Sequence, residues 1–412
     1  MENTRKNIIT LISLSFTGAV AISLIRPVIP IFARRMGATG FEVGGLISGF
    51  MLARAITAYF CGKFSDKLGR RKIFIPVGFF AYFITCILFF LSRQYIYVLL
   101  LSIIQGAFSG GIWPIAQVMT IENSQPSFKT RALSFYFASG NAGMGVGNAL
   151  LGVTIVFIMF LFKTDEDYAM RLVFLLSAMI YIIGFFLSFT VKDVKRTREK
   201  EPVSSSESKV IDNKKGLIGL IVLGFLIGVI MGIVRSIVVL YLNERFFIST
   251  KNIAFILMAM NISALVSMLF FSYMSDKKGI FKGLFIVILL TGISSLLMPF
   301  INSTFMFIVV LVVLGTGSRS FTPISRSTVS ELSGGHLGQN IGLINTVSSL
   351  GAVVGPLAGG LFYDHFQKPF LFVNLNISIF PLVGILIFIS LFLLWRVSMS
   401  KKATVISGEQ AG

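Results

Sequence analysis

Five arginines, Arg26, Arg54, Arg235, Arg319 and Arg326, stand inside long apolar runs, and none of the chain's 17 acidic residues does so away from the end of a run. A guanidinium stays charged at physiological pH and offers a fixed fork of donors, so it suits a carboxylate or phosphate and repels a cation. Placing one in hydrocarbon costs at least about 2.5 kcal/mol, so each must face a cavity, a partner or the water interface. Arg54 and Arg319 fall nearest the middle of their runs. Arg319 follows Gly315-Thr316-Gly317, where two glycines can loosen the helix or let a ligand approach its backbone. Arg26 and Arg235 lie nearer one end, where snorkelling or carbonyl capping competes with substrate contact; Arg326 lies toward the opposite end. Arg319, Arg54, Arg26 and Arg235 are candidates for binding substrate, with Trp113, Gln117 and Asn141 adding an aromatic platform and polar contacts. For Trp113 helix packing is the slightly better fit.

Other chemistry is hard to find. There is no GxSxG elbow, no HExxH and no clustering of His, Cys and acidic residues that could hold a catalytic metal. Cys61 and Cys86 form no metal-binding spacing and no disulfide framework. His336 and His365 fall in loops and read as solvated. No enzyme activity, cofactor or metal is expected.

The elements that carry the arginines must be membrane helices. Of 412 residues 55% are hydrophobic and only 13% charged, about half the charge a soluble domain needs, and the mean hydropathy is +0.87. The apolar runs predict an all-α membrane protein with about twelve spans, at 7–33, 41–63, 73–92, 95–121, 132–162, 171–191, 216–243, 252–274, 283–300, 304–330, 340–363 and 370–395. The net charge of +19 concentrates on one side of this layout. That is the positive-inside pattern, which puts both termini in the cytoplasm of a cell (plasma) membrane protein and leaves nucleic acid without a role. The first run is too long for a signal-peptide core and is kept as a span.

The polar stretch 192–215 (KDVKRTREKEPVSSSESKVIDNKK) reads as a cytoplasmic linker. It separates a six-helix bundle at 1–191 from a second at 216–396, followed by a cytoplasmic tail at 397–412. The halves align at a nearly constant offset: Arg26 with Arg235, Gly106 with Gly315, Pro114 with Pro323, Glu122 with Glu331, Asp66 with Asp276, Gly69 with Gly279, and Gly143, Gly147 and Gly152 with Gly351, Gly355 and Gly360. Duplicated bundles that rock about a site between them are a transporter signature.

Residues 62–72, GKFSDKLGRRK, resemble the G-x-x-x-D-x-x-G-R-R-K signature between the second and third helices of the major facilitator superfamily, and SYMSDKKGIFK at 272–282 is a decayed second copy. The resemblance implies a gating group: Gly62 and Gly69 for close packing and a tight turn, Asp66 at a helix N-terminus near Asn340, and Arg70 paired with Glu122, with Asp276 and Glu331 as second-half counterparts. LIRPVIPIFA at 24–33 and GAVVGPLAGG at 351–360 are similar to motifs of the twelve-helix drug:proton antiporters, although the second motif belongs in their fifth helix. Here it stands in the eleventh span, and the fifth carries GMGVGNALLG, with Asn148 where proline is expected. Gly143, Gly147, Gly351, Gly355, Pro356 and Gly360 also suit plain small-residue helix packing. The arginine those antiporters carry in helix 4 is Ser102 here, so the resemblance does not extend to their usual proton route. Protons could ride on the substrate, use Glu122 or Glu331, or take no part.

Together these features predict a monomeric secondary transporter in membrane lipid, working by alternating access on a small-molecule substrate. Efflux of amphipathic, drug-like, anionic or neutral compounds is the leading expectation. Uptake or exchange of an organic anion, such as a carboxylate or phosphate ester, is the alternative.

Overall fold

The computed structural model describes residues 2–68, 71–125, 129–193, 214–332, 337–366, 377 and 379–392. The chain within these limits is helical: α1 Glu2–Ile25, α2 Val28–Arg35, α3 Gly40–Leu68, α4 Phe74–Leu91, α5 Tyr95–Glu122, α6 Lys129–Phe162, α7 Glu166–Ser188, α8 Lys214–Arg245, α9 Thr250–Lys278, α10 Ile280–Leu297, α11 Thr304–Leu332 and α12 Leu337–His365, then α13 at Ile379–Phe392. Among the described residues eleven helical segments are long and apolar enough to cross a membrane, and α13 is a shorter apolar helix. Large apolar side chains such as Phe160 (82% exposed) and Phe305 (73%) cover the outside. Water would penalise that surface, whereas lipid solvates it.

Two boundaries differ from the expected spans. The first span is two helices, broken at Arg26-Pro27. Proline lacks the amide that would extend the ladder, and its ring disfavours helical geometry in the residue before it. The sixth span begins earlier, at Glu166, because Asp165 caps it by accepting from the Tyr168 amide at 3.1 Å, with Glu166 and Asp167 in the first turn. A sixth arginine, Arg171, thereby enters a helix. At the start of α3, Thr39 and Glu42 form a reciprocal capping box, with Thr39 N donating to Glu42 Oε2 at 2.7 Å and Glu42 N to Thr39 Oγ1 at 3.2 Å.

The chain divides into two compact units, one of Met1–Glu199 with Arg235–Asn261, the other of Lys200–Val234 with Ile262–Gly412. In the first, α3 lies along α5, α1 along α6 and α4 along α7. Hydrocarbon supplies no hydrophobic force between helices, so association depends on close van der Waals contact. Gly143 and Gly147 of α6 sit against the carbonyls of Phe16 and Val20 on α1, and Gly106 and Gly110 of α5 sit against the backbone of Phe50 and Arg54 on α3. A methyl group at any of the four would overlap main chain. Thr57 Oγ1 adds a hydrogen bond to Ala107 O at 2.7 Å across the α3–α5 contact.

The second unit repeats the device. Gly351 and Gly355 of α12 meet the carbonyls of Phe225 and Val229 on α8, and Pro356 packs over Gly232. Ser295 of α10 donates to Phe380 O at 2.6 Å, binding α10 to α13. Gly279 has φ +99°, a conformation open to glycine and strained for other residues, which lets α9 turn directly into α10.

Overpacking a close contact typically costs about 1–3 kcal/mol. Gly147→Leu should therefore lower the thermal midpoint of the purified protein by several degrees. Gly145→Ala, on the same helix with nothing near its Cβ position, should leave the midpoint unchanged in the same scan.

Candidate functional site

The interior of the first unit brings two of the sequence candidates together. The Arg26 guanidinium, released at the α1–α2 break, lies 5.4 Å from the Phe50 ring centroid, close enough for a cation–π contact. Arg54 is one turn further along α3 and shares that face. The Gly106 and Gly110 contacts bring α5 against α3 at these two residues. Arg26 is within electrostatic reach of Arg54, Tyr82 and Tyr181, and Arg54 of Tyr82 and Tyr136. Both arginines retain some accessible surface, so neither is sealed into packing. Among the described residues neither guanidinium has a carboxylate or hydrogen-bond partner.

The tyrosines are the part that sequence reasoning missed. Tyr82, Tyr136 and Tyr181 are buried to 1%, 3% and 1% exposure; the Tyr181 hydroxyl has no hydrogen-bond partner, and those of Tyr82 and Tyr136 have only Ser109 and Ser15 near them, without a well-formed bond. The Tyr82 and Tyr181 rings pack against each other, tilted by 40° at 4.8 Å, and Phe79 meets Tyr181 edge-on at 6.1 Å. A composition with 42 Phe and only 10 Tyr held the clue, because a tyrosine in an apolar run carries a hydroxyl that needs a use. Beside the cluster, polar groups are satisfied locally: Gln105 donates to Thr85 Oγ1 at 3.0 Å, and Ser177 to Ala21 O at 2.9 Å. Arg171 is also served, donating to Phe90 O at 3.0 Å and Ser92 O at 2.8 Å and lying 4.8 Å from the Phe32 ring.

The remaining substrate candidates are more dispersed. The Trp113 indole covers Gly18 and meets Phe79 at 6.4 Å, and so belongs to packing beside the cluster. Gln117 and Asn141 are half-buried on α5 and α6. Arg319 is half-buried on α11 in the second unit, and Arg235 is exposed on α8 in the first. Gly152 contacts Phe255 of α9 within the first unit.

At one end of the first unit, Glu122 pairs with Arg71 at 2.5 Å. Arg70, expected as its partner, lies outside the described residues, as do Gly69, His336 and most of the linker 192–215 and tail 397–412. The side chains of Asp66, Asp276, Arg326, Glu331 and Asn340 also lie outside that set. Gly62 faces open space, and Gly360 is buried in α12. Asp193 accepts from the amides of Arg71 at 3.1 Å and Lys72 at 2.8 Å. Asn7 bonds Asn123 Oδ1 at 2.6 Å and both backbone groups of Lys192. The chain entering the linker is thus tied to α1, to α5 and to the signature loop.

At the opposite end is a second ionic cluster that the sequence did not announce. Arg34 donates to Glu244 at 2.6 Å. Arg35 forks to Glu166 at 2.9 Å and to Asp167, and Glu166 also accepts from Thr250 N, at the start of α9, at 2.5 Å. Among the described residues no group of three or more His, Cys, Asp or Glu comes together to hold a metal.

Comparison with known proteins supplies the family. The Major Facilitator Superfamily profile matches residues 11–288 and 220–411. Multidrug resistance protein 2 of Bacillus subtilis (strain 168) is 26% identical over 387 residues, covering 90% of this chain and 93% of that protein. Quinolone resistance protein NorA of Staphylococcus aureus is 24% identical over 375 residues, covering 89% and 92%. The fold is similar to that of the nucleoside transporter NupG, with a TM-score of 0.74 at 12% identity over 95% of this chain and 98% of that one. It is also similar to a bacterial homolog of the human lysosomal transporter Spinster, with a TM-score of 0.73 at 15% identity over 95% and 96%. With the profile running through both repeats and the helices arranged as in solved members, the chain belongs to the Major Facilitator Superfamily and is a multi-pass membrane transporter of a small-molecule substrate.

Proposed function

We propose that the protein is a monomeric secondary exporter of small amphipathic, drug-like compounds, anionic or neutral rather than cationic, working by alternating access in the cell membrane. Support for export comes from the resistance proteins that match nearly the whole chain. Support for the charge preference comes from the observation that carries the reading: two arginines deep in the first unit without a carboxylate partner among the described residues. A cation there would meet repulsion in a medium of low dielectric. In this reading both termini are cytoplasmic, the bundles are 1–191 and 216–396, and 192–215 joins them.

That orientation makes the Glu122 end the inner side and the Arg34 end the outer side. Arg71–Glu122, with Asp66 and Arg70 of the signature, then serves as the inner latch, and Asp276 and Glu331 are its second-half counterparts. The cluster of Arg34, Arg35, Glu166, Asp167 and Glu244 serves as the outer clasp, formed and broken once per cycle. Proton coupling, if used, runs through the substrate's own titration or through Glu122 or Glu331 near the inner face. Uptake or exchange of an organic anion is the second reading, favoured by the same unpaired arginines and by Arg319.

Cells expressing the wild type should accumulate less of an anionic fluorescent compound than control cells, whereas a matched cationic compound should be unaffected. Asp66→Asn should abolish the difference. Depletion of the cation alone would overturn the charge assignment, and enrichment of the anion would establish the second reading, in which Arg319→Ala should lose binding. For the outer clasp, Arg34→Glu should reduce transport, and adding Glu244→Arg should restore much of it. Transport that stays equally low in the double variant would remove the Arg34–Glu244 pair from the cycle.

A further inference from the structure

The buried cluster of the first unit has a composition that packing does not explain. Phenylalanine would fill the space of Tyr82 and Tyr181 and keep the ring contact, and this chain uses phenylalanine freely. Instead it keeps hydroxyls at positions nearly without exposure, that of Tyr181 with no hydrogen-bond partner and that of Tyr82 with only Ser109 near it and no well-formed bond. An unsatisfied buried hydroxyl costs about 1–3 kcal/mol. A second guanidinium nearby raises the cost, because like charges repel strongly away from water. Phe50 offsets part of this for Arg26. Arg171 of α7 shows how the fold satisfies an arginine within itself, with two main-chain carbonyls. Arg26 and Arg54 are not satisfied in that way.

All the open valences have one sign. Arginine has donors only, and a tyrosine or serine hydroxyl can turn its hydrogen toward an acceptor. No carboxylate stands in the interior of this unit among its described residues. A group with several acceptor oxygens and a negative charge satisfies donors and compensates charge at once, which a neutral or cationic group cannot do.

We propose that Arg26, Arg54, Tyr82 and Tyr181 form a binding site, inside the first bundle, for the oxyanion headgroup of an amphipathic compound, a carboxylate or a phosphate monoester. Arg54 and Arg26 supply charge, and the two tyrosines supply directional donors. The assignment rests on the transport reading only in taking the bound compound to be the one carried.

The chain has two tryptophans, Trp113 and Trp395. Trp113 meets Phe79, which in turn meets Tyr181. In a Trp395→Phe background, Trp113 emission therefore reports on the cluster. The purified full-length variant, in detergent without anionic lipid, is titrated with octanoate, octanol and octylammonium. Octanoate should give a saturable change that octanol and octylammonium do not. Because a hydrogen bond to a charged group contributes about 1.5–3 kcal/mol, Arg54→Gln, Tyr82→Phe and Tyr181→Phe should each weaken octanoate about tenfold or more. The tyrosine variants preserve the ring contact, so they remain informative if Arg54→Gln does not fold. Equal response to octanoate and octanol, or unchanged octanoate affinity in the tyrosine variants, would overturn the site. Competition by added phosphatidylglycerol would assign it to a lipid headgroup and overturn the substrate assignment. Export of the anionic compound at the wild-type rate by Tyr181→Phe cells would overturn the site and leave export standing. Octanoate binding that depends on these residues, in a protein that exports nothing, would support the site and overturn the export reading.

Discussion

A guanidinium in the hydrocarbon zone must find electrons to face, because the bilayer offers none, and much of this fold can be read as a set of answers to that demand. Arg171 faces the last carbonyls of α4 and the Phe32 ring. Arg34 and Arg35 face Glu244, Glu166 and Asp167 at the helix ends. Arg26 faces the Phe50 ring, and with Arg54 it shares a buried neighbourhood of tyrosines. The first three answers are complete in the protein itself. The last leaves charge and donors uncompensated, and since a mid-membrane charge is expensive, that remainder is the best pointer to function in the first unit.

Such a neighbourhood exists only because helices approach closely enough to hold it. The α3–α5 contact runs through Gly106 and Gly110, whose missing side chains let the main chain of Phe50 and Arg54 come against α5. The α1–α6 contact runs through Gly143 and Gly147, and the α8–α12 contact through Gly351 and Gly355. In the last two, glycines one turn apart press on carbonyls one turn apart, in corresponding helices of the two repeats. The duplication is therefore preserved at the level of packing chemistry, even where the motif is incomplete and Asn148 replaces proline. That geometry supports the plain packing role for these glycines.

Ionic groups at the two ends of the first unit differ in construction. At the Glu122 end, the pair with Arg71 is joined by Asp193 and the Asn7–Asn123–Lys192 node, which attach the start of the linker to the signature loop. At the Arg34 end, residues from four separate helix termini meet, and Glu166 both pairs with Arg35 and caps α9. Partly exposed pairs of this kind contribute little to stability singly. In the proposed cycle such pairs can be broken and remade at modest cost.

Amino-acid order alone determined the membrane class, the approximate places of most spans and the family, and it displayed the duplication, because each is written in local composition, in period or in short motifs. It also located the arginines, since a charge in an apolar run is visible without coordinates. What it could not decide was which arginines are already satisfied. Arg54 and Arg26 stand out in the sequence and Arg171, at the edge of its apolar run, does not, and only the fold brings carbonyls to Arg171 and sets Arg26 and Arg54 beside tyrosines. The break at Arg26-Pro27 was legible as a proline, but the release of the Arg26 side chain toward Phe50 depends on how α3 passes it. Tyr82, Tyr136 and Tyr181 come from three helices, and the ionic cluster of Arg34, Arg35, Glu166, Asp167 and Glu244 from three helix ends. No periodicity within one segment records such meetings, because they are set by helix crossing, and helix crossing is set by packing between segments far apart in the chain.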